Sequence, residues 1–373
     1  MDQNNFTISE ELLKPFKEEM AATPQDSIRH GEGDVLTHTS MVVEALKGLA
    51  YYRDLSVNEK EILAAAAMLH DIGKIKTTKV FGLHIEAPKH APLGAHLARE
   101  YLWKSYGMCG SAEKIRFREA ICLLIQHHSL PLHIIEDPEG LRKLHKSAAN
   151  TILVPEFSNQ HLLALSRADV LGRKCNDKEE LLLKLDLCEE IASSEGCLTG
   201  CYPFPDSYTR YKYINGAEIW KDQRLHCNKW GEIVMMSGLP GTGKDTWINR
   251  NMADMPVISL DEIRKLKKIS PEKNQGIVAS IAREEAKKYL RNKQPFVWNA
   301  TNITKDLRSS LISLFESYGA NVRIVYLETD WETLQRRNSN REDQVPQEAI
   351  NRMLSKLSVP QLHEAHKVEW HAV

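Results

Sequence analysis

Ile233-Val234-Met235-Met236-Ser237-Gly238-Leu239-Pro240-Gly241-Thr242-Gly243-Lys244-Asp245-Thr246 decides the fold of the C-terminal half of this chain. The apolar run predicts a buried strand, which breaks into a Gly-x-x-x-x-Gly-Lys loop leading to Trp247 and Ile248. Strand, loop and helix in that order let backbone N–H groups wrap the phosphates of a nucleoside triphosphate while the lysine bridges its β and γ oxygens. Gly238, Gly241, Thr242, Gly243, Lys244, Asp245 and Thr246 are therefore candidates to bind ATP, or another nucleoside triphosphate, with Mg2+. Position 245 departs from the pattern, since a Ser or Thr hydroxyl normally follows the lysine and meets the magnesium ion. Either Asp245 takes that role, directly or through water, or Thr246 takes it from the next position.

Working outward, short β-like runs at 232–237, 257–260, 295–298 and 322–327 alternate with helical patterns at 246–252, 277–292 and 305–318. That alternation implies a parallel sheet covered by helices. Asp261 and Arg264 follow the second run one helical turn apart, where a carboxylate can accept a proton from a hydroxyl nucleophile. Arg337 and Arg341 are also one turn apart and suit a helical lid over the triphosphate.

The first 195 residues read instead as helices, with apolar residues at helical spacing in 36–51, 59–69, 94–106, 112–125 and 160–171. Residues from about 199 to 230 are rich in Pro, Tyr, Gly and basic side chains without periodicity. The expected organisation is an all-α helical bundle over 1–200, a linker or interface segment over 201–229, and an α/β domain with a parallel sheet over 230–373. A chain of 373 residues exceeds what one core usually organises, which agrees with two domains.

The helical half contains Leu69-His70-Asp71-Ile72-Gly73-Lys74, with His38 before it and His90, His127, His128 and Asp169 after it. Histidines and carboxylates converging from several helices can hold divalent cations, with an Asp able to bridge two ions. Lys74 is placed to neutralise a substrate phosphate. These positions and their neighbours resemble the HD phosphohydrolase superfamily. The resemblance implies that His38, His70, Asp71 and Asp169 hold one transition-metal ion. It further implies that His90, His127 and His128, with Asp71 bridging, hold a second where there are two.

The C-terminal half resembles the 5'-hydroxyl polynucleotide kinases of phage and bacterial RNA repair in its loop, its Asp261-x-x-Arg264 element, its Ala300-Thr301-Asn302 segment and its Arg337-Asn338-x-x-Arg341 lid. This implies Asp261 as general base on a 5'-OH, with Arg264 on the substrate phosphate. It also implies Asn302 and Arg308 on the substrate side, and Arg337 and Arg341 on the ATP phosphates. Such kinases commonly show Asp where this chain has Asn299, so a carboxylate gained at 245 and one lost at 299 together suggest relocated charge at the magnesium site.

The whole chain thus resembles bacterial HD-domain polynucleotide kinases. The implied function is end healing: phosphorylation of 5'-OH ends and metal-dependent removal of 2',3'-cyclic phosphate, 2'-phosphate or 3'-phosphate ends. The implied partners are ends of RNA, or alternatively DNA, before a ligase acts. Two alternatives stay open: a nucleoside or nucleotide kinase fused to a nucleotide phosphohydrolase, and an HD hydrolase gated by ATP on a degenerate loop.

Composition bounds these readings. Net charge is -1, so nucleic acid would be held by local clusters such as Arg264, Lys265, Lys267 and Lys268. No apolar run approaches the roughly 18 residues needed to cross a bilayer, and Met1-Asp2-Gln3-Asn4-Asn5 is wrong for a secretory signal. The expectation is a cytoplasmic protein with no membrane partner. Seven scattered cysteines give no disulfide framework, and Cys197, Cys201, His226 and Cys227 read as unrelated residues near a linker rather than as a zinc site.

Overall fold

The computed structural model describes residues 10–82, 84–269, 275–341 and 343–373. Met1-Asp2-Gln3-Asn4-Asn5, weighed above as a signal, lies outside them. The chain divides into two units, one of Met1–Met108 with Glu113–Pro203 and the other of Cys109–Ala112 with Phe204–Val373. Among the described residues no helix is long and apolar enough to cross a membrane.

The first unit is built from α1 (Lys17–Ala22), α2 (Val35–Gly48), α3 (Ala50–Asp54), α4 (Val57–Leu69), α5 (Lys74–Thr77), α6 (His90–Tyr106), α7 (Ala112–His127), α8 (Gly140–Ala148), α9 (Asn159–Leu171) and α10 (Lys178–Ser194). Side-chain caps fix three of these. Asp34 accepts the Thr37 N–H at 2.8 Å at the start of α2, Ser56 and Glu59 form a reciprocal capping box on α4, and Ser158 accepts the His161 N–H at the start of α9. α2 packs on both α4 and α9. The small buried residues Ala65, Ala66 and Ala67 of α4 suit close helix packing.

A two-stranded hairpin, β1 (Lys79–Phe81) with β2 (His84–Glu86), interrupts the helices. It was not expected from the sequence, because its residues are mostly exposed and leave no buried alternation to read. Just before it, a Cβ on Gly73 would lie 2.0 Å from the His90 carbonyl oxygen. Only glycine permits that approach, which brings the start of α6 against the His70-Asp71 turn.

The second unit opens with α11 (Ser207–Ile214), inside the stretch expected to lack periodicity. Its Tyr211 ring sits 4.3 Å from that of His366, and Lys212 pairs with Glu316 at 3.6 Å. Then follow β3 (Glu232–Ser237), α12 (Lys244–Asn251), β4 (Val257–Ser259), α13 (Leu260–Lys267), α14 (Gln275–Arg291), β5 (Val297–Asn299), α15 (Lys305–Ser317), β6 (Asn321–Glu328), α16 (Trp331–Ser339), α17 (Gln347–Leu354) and β7 (Lys367–Ala372). All strand pairs are parallel, in the order β4-β5-β3-β6-β7. β3 is central and buried from Ile233 to Ser237, as a strand covered on both faces must be.

Candidate functional site

In the first unit, His70 and Asp71 sit just beyond α4, His38 on α2, His90 at the start of α6, His128 just past α7 and Asp169 on α9. Nδ1 of each of three histidines is bound to the carbonyl three residues earlier: His70 to Ala67, His90 to Ala87 and His128 to Ile125, each at 2.8 Å. With Nδ1–H donated to a carbonyl, Nε2 carries a lone pair toward the centre. His38 is held differently, with Nδ1 2.8 Å from Glu32 Oε1 and Nε2 3.0 Å from Asp169 Oδ1.

Asp71 stands between the two histidine sets. Its Oδ2 lies 3.3 Å from His70 Nε2 and 3.7 Å from His38 Nε2, while its Oδ1 lies 3.4 Å from His90 Nε2. Among the described residues, His38, His70 and Asp71 form one group able to hold a metal ion, and Asp71, His90 and His128 another. His70 Nε2 and Asp71 Oδ1 are buried with no hydrogen-bond partner among the described residues. Orphaned donor atoms of this kind, on imidazole and carboxylate, fit a divalent transition metal.

Burial pushes His128 down to about 3 and lowers His90, which favours the neutral imidazole a ligand needs, whereas at His38 burial is outweighed by Asp169 and Glu32, which raise it to about 8. Burial opposes ionisation of Asp71, but the neighbouring His70 and the Lys74 ammonium hold it well below the usual carboxylate range. Asp169, also disfavoured by burial, is held low by Arg173 and then by His38.

His127 is set apart from His128: its Nε2 lies 3.4 Å from Gln126 Nε2, and like Asp169 it is in none of the three-residue groups among the described residues. His127 is the last residue of α7, and His128, just past it, places its Nε2 3.4 Å from His90 Nε2. Lys74 is buried, and its ammonium lies 2.7 Å from Asp71 Oδ2 and 2.6 Å from Gln25 Oε1.

Sequence reasoning missed Gln25, His30, Glu32 and Arg173. Glu32 receives His30 and His38 together and also accepts the Lys174 N–H at 2.9 Å, and Arg173 clamps Asp169 through Nε at 3.0 Å and through Nη2. Arg173 follows Asp169 by four residues, a spacing that could have flagged it; Glu32, on a loop, offered no such signal.

In the second unit, Gly238, Gly241 and Gly243 all adopt positive φ, and a Cβ on Gly238 would lie 2.4 Å from the Leu327 carbonyl oxygen. The loop therefore requires glycine. Thr242 is buried and bonds the Leu239 carbonyl at 2.8 Å. Lys244 donates to the carbonyls of Gly238 and Leu239 at 3.0 and 2.9 Å. Burial pushes its ammonium down to about 8, while Asp245 and Asp261 favour its charged form and Arg341 opposes it.

Asp261 lies in the first turn of α13 and Arg264 donates to it at 2.6 Å, with 71% of the Asp261 side chain exposed. Arg337, on α16, reaches the Gly241 carbonyl at 3.5 Å. Asp245 and Thr246 are exposed in the first turn of α12.

Asn302 and Arg308 are both engaged within the unit. Arg308 is 0% exposed, and its guanidinium is committed to Glu364 at 2.7 and 2.9 Å and to the carbonyls of Asn302 and Ser358 at 3.0 and 2.8 Å. Asn302 is buried, and its amide donates to the Met236 carbonyl at 2.7 Å. Both tie the segment after β5 to the scaffold, leaving no guanidinium face for a substrate. Arg308→Ala is expected to cost about 3–5 kcal/mol, by stranding the buried Glu364 carboxylate. A urea melt measures this; undiminished stability with a raised KM for the acceptor would restore the substrate role.

Comparison with known proteins agrees with this architecture. The HD domain model matches residues 35–184, and an AAA domain model matches residues 233–360. The L-seryl-tRNA(Sec) kinase of Methanococcus maripaludis is 25% identical over 135 residues, which is 34% of this chain and 53% of that protein. The chain thus spans about half the length of this curated relative. It carries an HD hydrolase domain, which implies a divalent metal, followed by a P-loop kinase-like domain, which implies a nucleotide and Mg2+.

Proposed function

We propose that this protein is a bifunctional nucleic-acid end-healing enzyme. Its P-loop unit phosphorylates 5'-OH polynucleotide ends from ATP, and its HD unit removes 2',3'-cyclic phosphate, 2'-phosphate or 3'-phosphate ends. RNA is the preferred partner, and a ligase would act on the product.

The observation that carries the kinase assignment is the Asp261–Arg264 pair on α13, which directly follows β4. A carboxylate there can take the proton of an attacking hydroxyl, and the arginine can hold the phosphate flanking it. Lys244, Arg337 and Arg341 supply the positive charge that transfer of a phosphoryl group requires. A relative named as a kinase of seryl-tRNA supports an acceptor hydroxyl carried on RNA.

In the hydrolase unit, His38, His70, Asp71 and Asp169 would hold one divalent cation, and His90 and His128 with Asp71 a second. Such a cation supplies Lewis acidity toward a phosphoryl oxygen and lowers the pKa of the water it binds. The chain's own part is to fix the imidazoles through their Nδ1 bonds and to offer the Lys74 ammonium beside Asp71.

The choice of acceptor is tested by supplying labelled ATP with a 5'-OH oligoribonucleotide and, separately, with free nucleosides. Label is expected on the oligonucleotide. Label on nucleosides alone would move the assignment to small-molecule metabolism.

A further inference from the structure

Asp245 and Asn299, the two positions at which the kinase unit departs from its motif, are in direct contact. Asn299 Nδ2 donates to Asp245 Oδ1 at 2.6 Å. Asn299 is buried at the C-terminal end of β5, and Asp245 follows Lys244 in the first turn of α12. A loop of this kind ordinarily presents a neutral hydroxyl at position 245 to the nucleotide's magnesium ion. Here a carboxylate occupies the position, with one oxygen pinned from the sheet. Asn299 engages Oδ1 of the carboxylate, and Asp245 is otherwise exposed.

Thr246 is the competing hydroxyl. It lies one residue further along α12 and is turned ~100° around the helix from Asp245. The contact with β5 is made by Asp245.

We propose that Asp245 is the residue through which this chain holds the divalent cation of the bound nucleotide, and that Asn299 is the positioning residue for its carboxylate. The proposal rests on the P-loop unit binding nucleotide and does not depend on which acceptor is phosphorylated. A carboxylate differs from a hydroxyl in the sign of its effect. Without a cation it repels the triphosphate, and with one it attracts the complex. Cation and nucleotide therefore bind with a stronger coupling than a neutral hydroxyl ligand gives, because the carboxylate also repels the metal-free triphosphate.

The test is the affinity of the full-length protein for a fluorescent ATP analogue, measured by anisotropy in excess Mg2+ and again in EDTA. The nucleotide is the only reporter, so cations bound at the histidine centre do not contribute, and no acceptor is present. Asp245→Asn keeps the shape and can still accept from Asn299 through its amide oxygen. It is expected to weaken binding about tenfold in Mg2+, within the usual range of such couplings, while leaving binding in EDTA unchanged or tighter. Thr246→Val should retain the wild-type Mg2+ enhancement. The exchange Asp245→Ser with Asn299→Asp moves the carboxylate to the other end of the same hydrogen bond and should regain the enhancement. Equal weakening by Asp245→Asn in Mg2+ and in EDTA would overturn the proposal, as would loss of the enhancement in Thr246→Val instead. An exchange variant that binds the metal-free analogue normally but gains nothing from Mg2+ would overturn the positioning role of Asn299.

Discussion

Asp71→Asn is expected to abolish metal-dependent phosphate release, by ~10³-fold or more, which corresponds to ~4 kcal/mol of barrier. Asp71 faces both histidine sets, with Oδ2 3.3 Å from His70 Nε2 and Oδ1 3.4 Å from His90 Nε2. No other carboxylate belongs to both the His38-His70 and the His90-His128 group among the described residues. The amide keeps the shape but withdraws the negative charge that unites them. Bound metal, measured after dialysis by elemental analysis, should fall together with hydrolysis of a 2',3'-cyclic phosphate end. Kinase activity of the same preparation serves as the control for folding. Full hydrolysis by a metal-depleted Asp71→Asn protein would remove this centre from the mechanism.

The second large effect is expected in the other unit, and it separates binding from chemistry. Lys244→Ala should weaken ATP binding and abolish transfer together, because Lys244 is the cation at the mouth of the loop. Asp261→Ala should leave ATP affinity near wild type while lowering kcat by about 10²–10⁴-fold, the usual contribution of a general base. Asp261 is mostly exposed and pairs with Arg264 among the described residues, so its loss should not disturb the fold. Both variants should retain phosphate release from a 2',3'-cyclic phosphate end. An Asp261→Ala protein with unaltered kcat would assign the proton to another acceptor.

The sequence disclosed those parts of the fold that have strong local signals. β3 runs over Glu232–Ser237 as expected, because a strand buried on both faces writes a continuous apolar run. α4 and α9 were legible for a related reason, since apolar residues at helical spacing follow a capped start, although both helices are buried nearly all round. β7 was not anticipated. It is an edge strand whose Lys367-Val368-Glu369-Trp370 carries too few apolar residues to stand out, and its partner β6 is more than forty residues earlier.

The candidate sites divide in the same way. His38, His70, Asp71, His90, His128 and Asp169 could be named from motif and neighbours, but their second partners could not. Glu32 reaches His38 from a loop, and Gln25 reaches Lys74 across forty-nine positions. Neither contact leaves a local trace, the first because loop geometry sets it and the second because packing across the unit does. Asn302 and Arg308 are the converse case. A polar residue beside a motif suggests a substrate contact, whereas these two side chains are used up by backbone carbonyls and Glu364. The contact between Asp245 and Asn299 lay between the two outcomes: both residues were conspicuous in the sequence, and only the structure shows them 2.6 Å apart.

The central claim, that the two units act on the two ends of one broken strand, is tested most directly by a single substrate. An RNA with a 5'-OH at one end and a 2',3'-cyclic phosphate at the other is incubated with ATP, Mg2+ and each of several divalent transition metals, and its ends are read by mass spectrometry. The account predicts gain of a 5'-phosphate and loss of the cyclic phosphate from the same molecule. It further predicts that Asp261→Ala removes only the first change and Asp71→Asn only the second. RNA left unaltered at both ends by a protein that phosphorylates free nucleosides would contradict it.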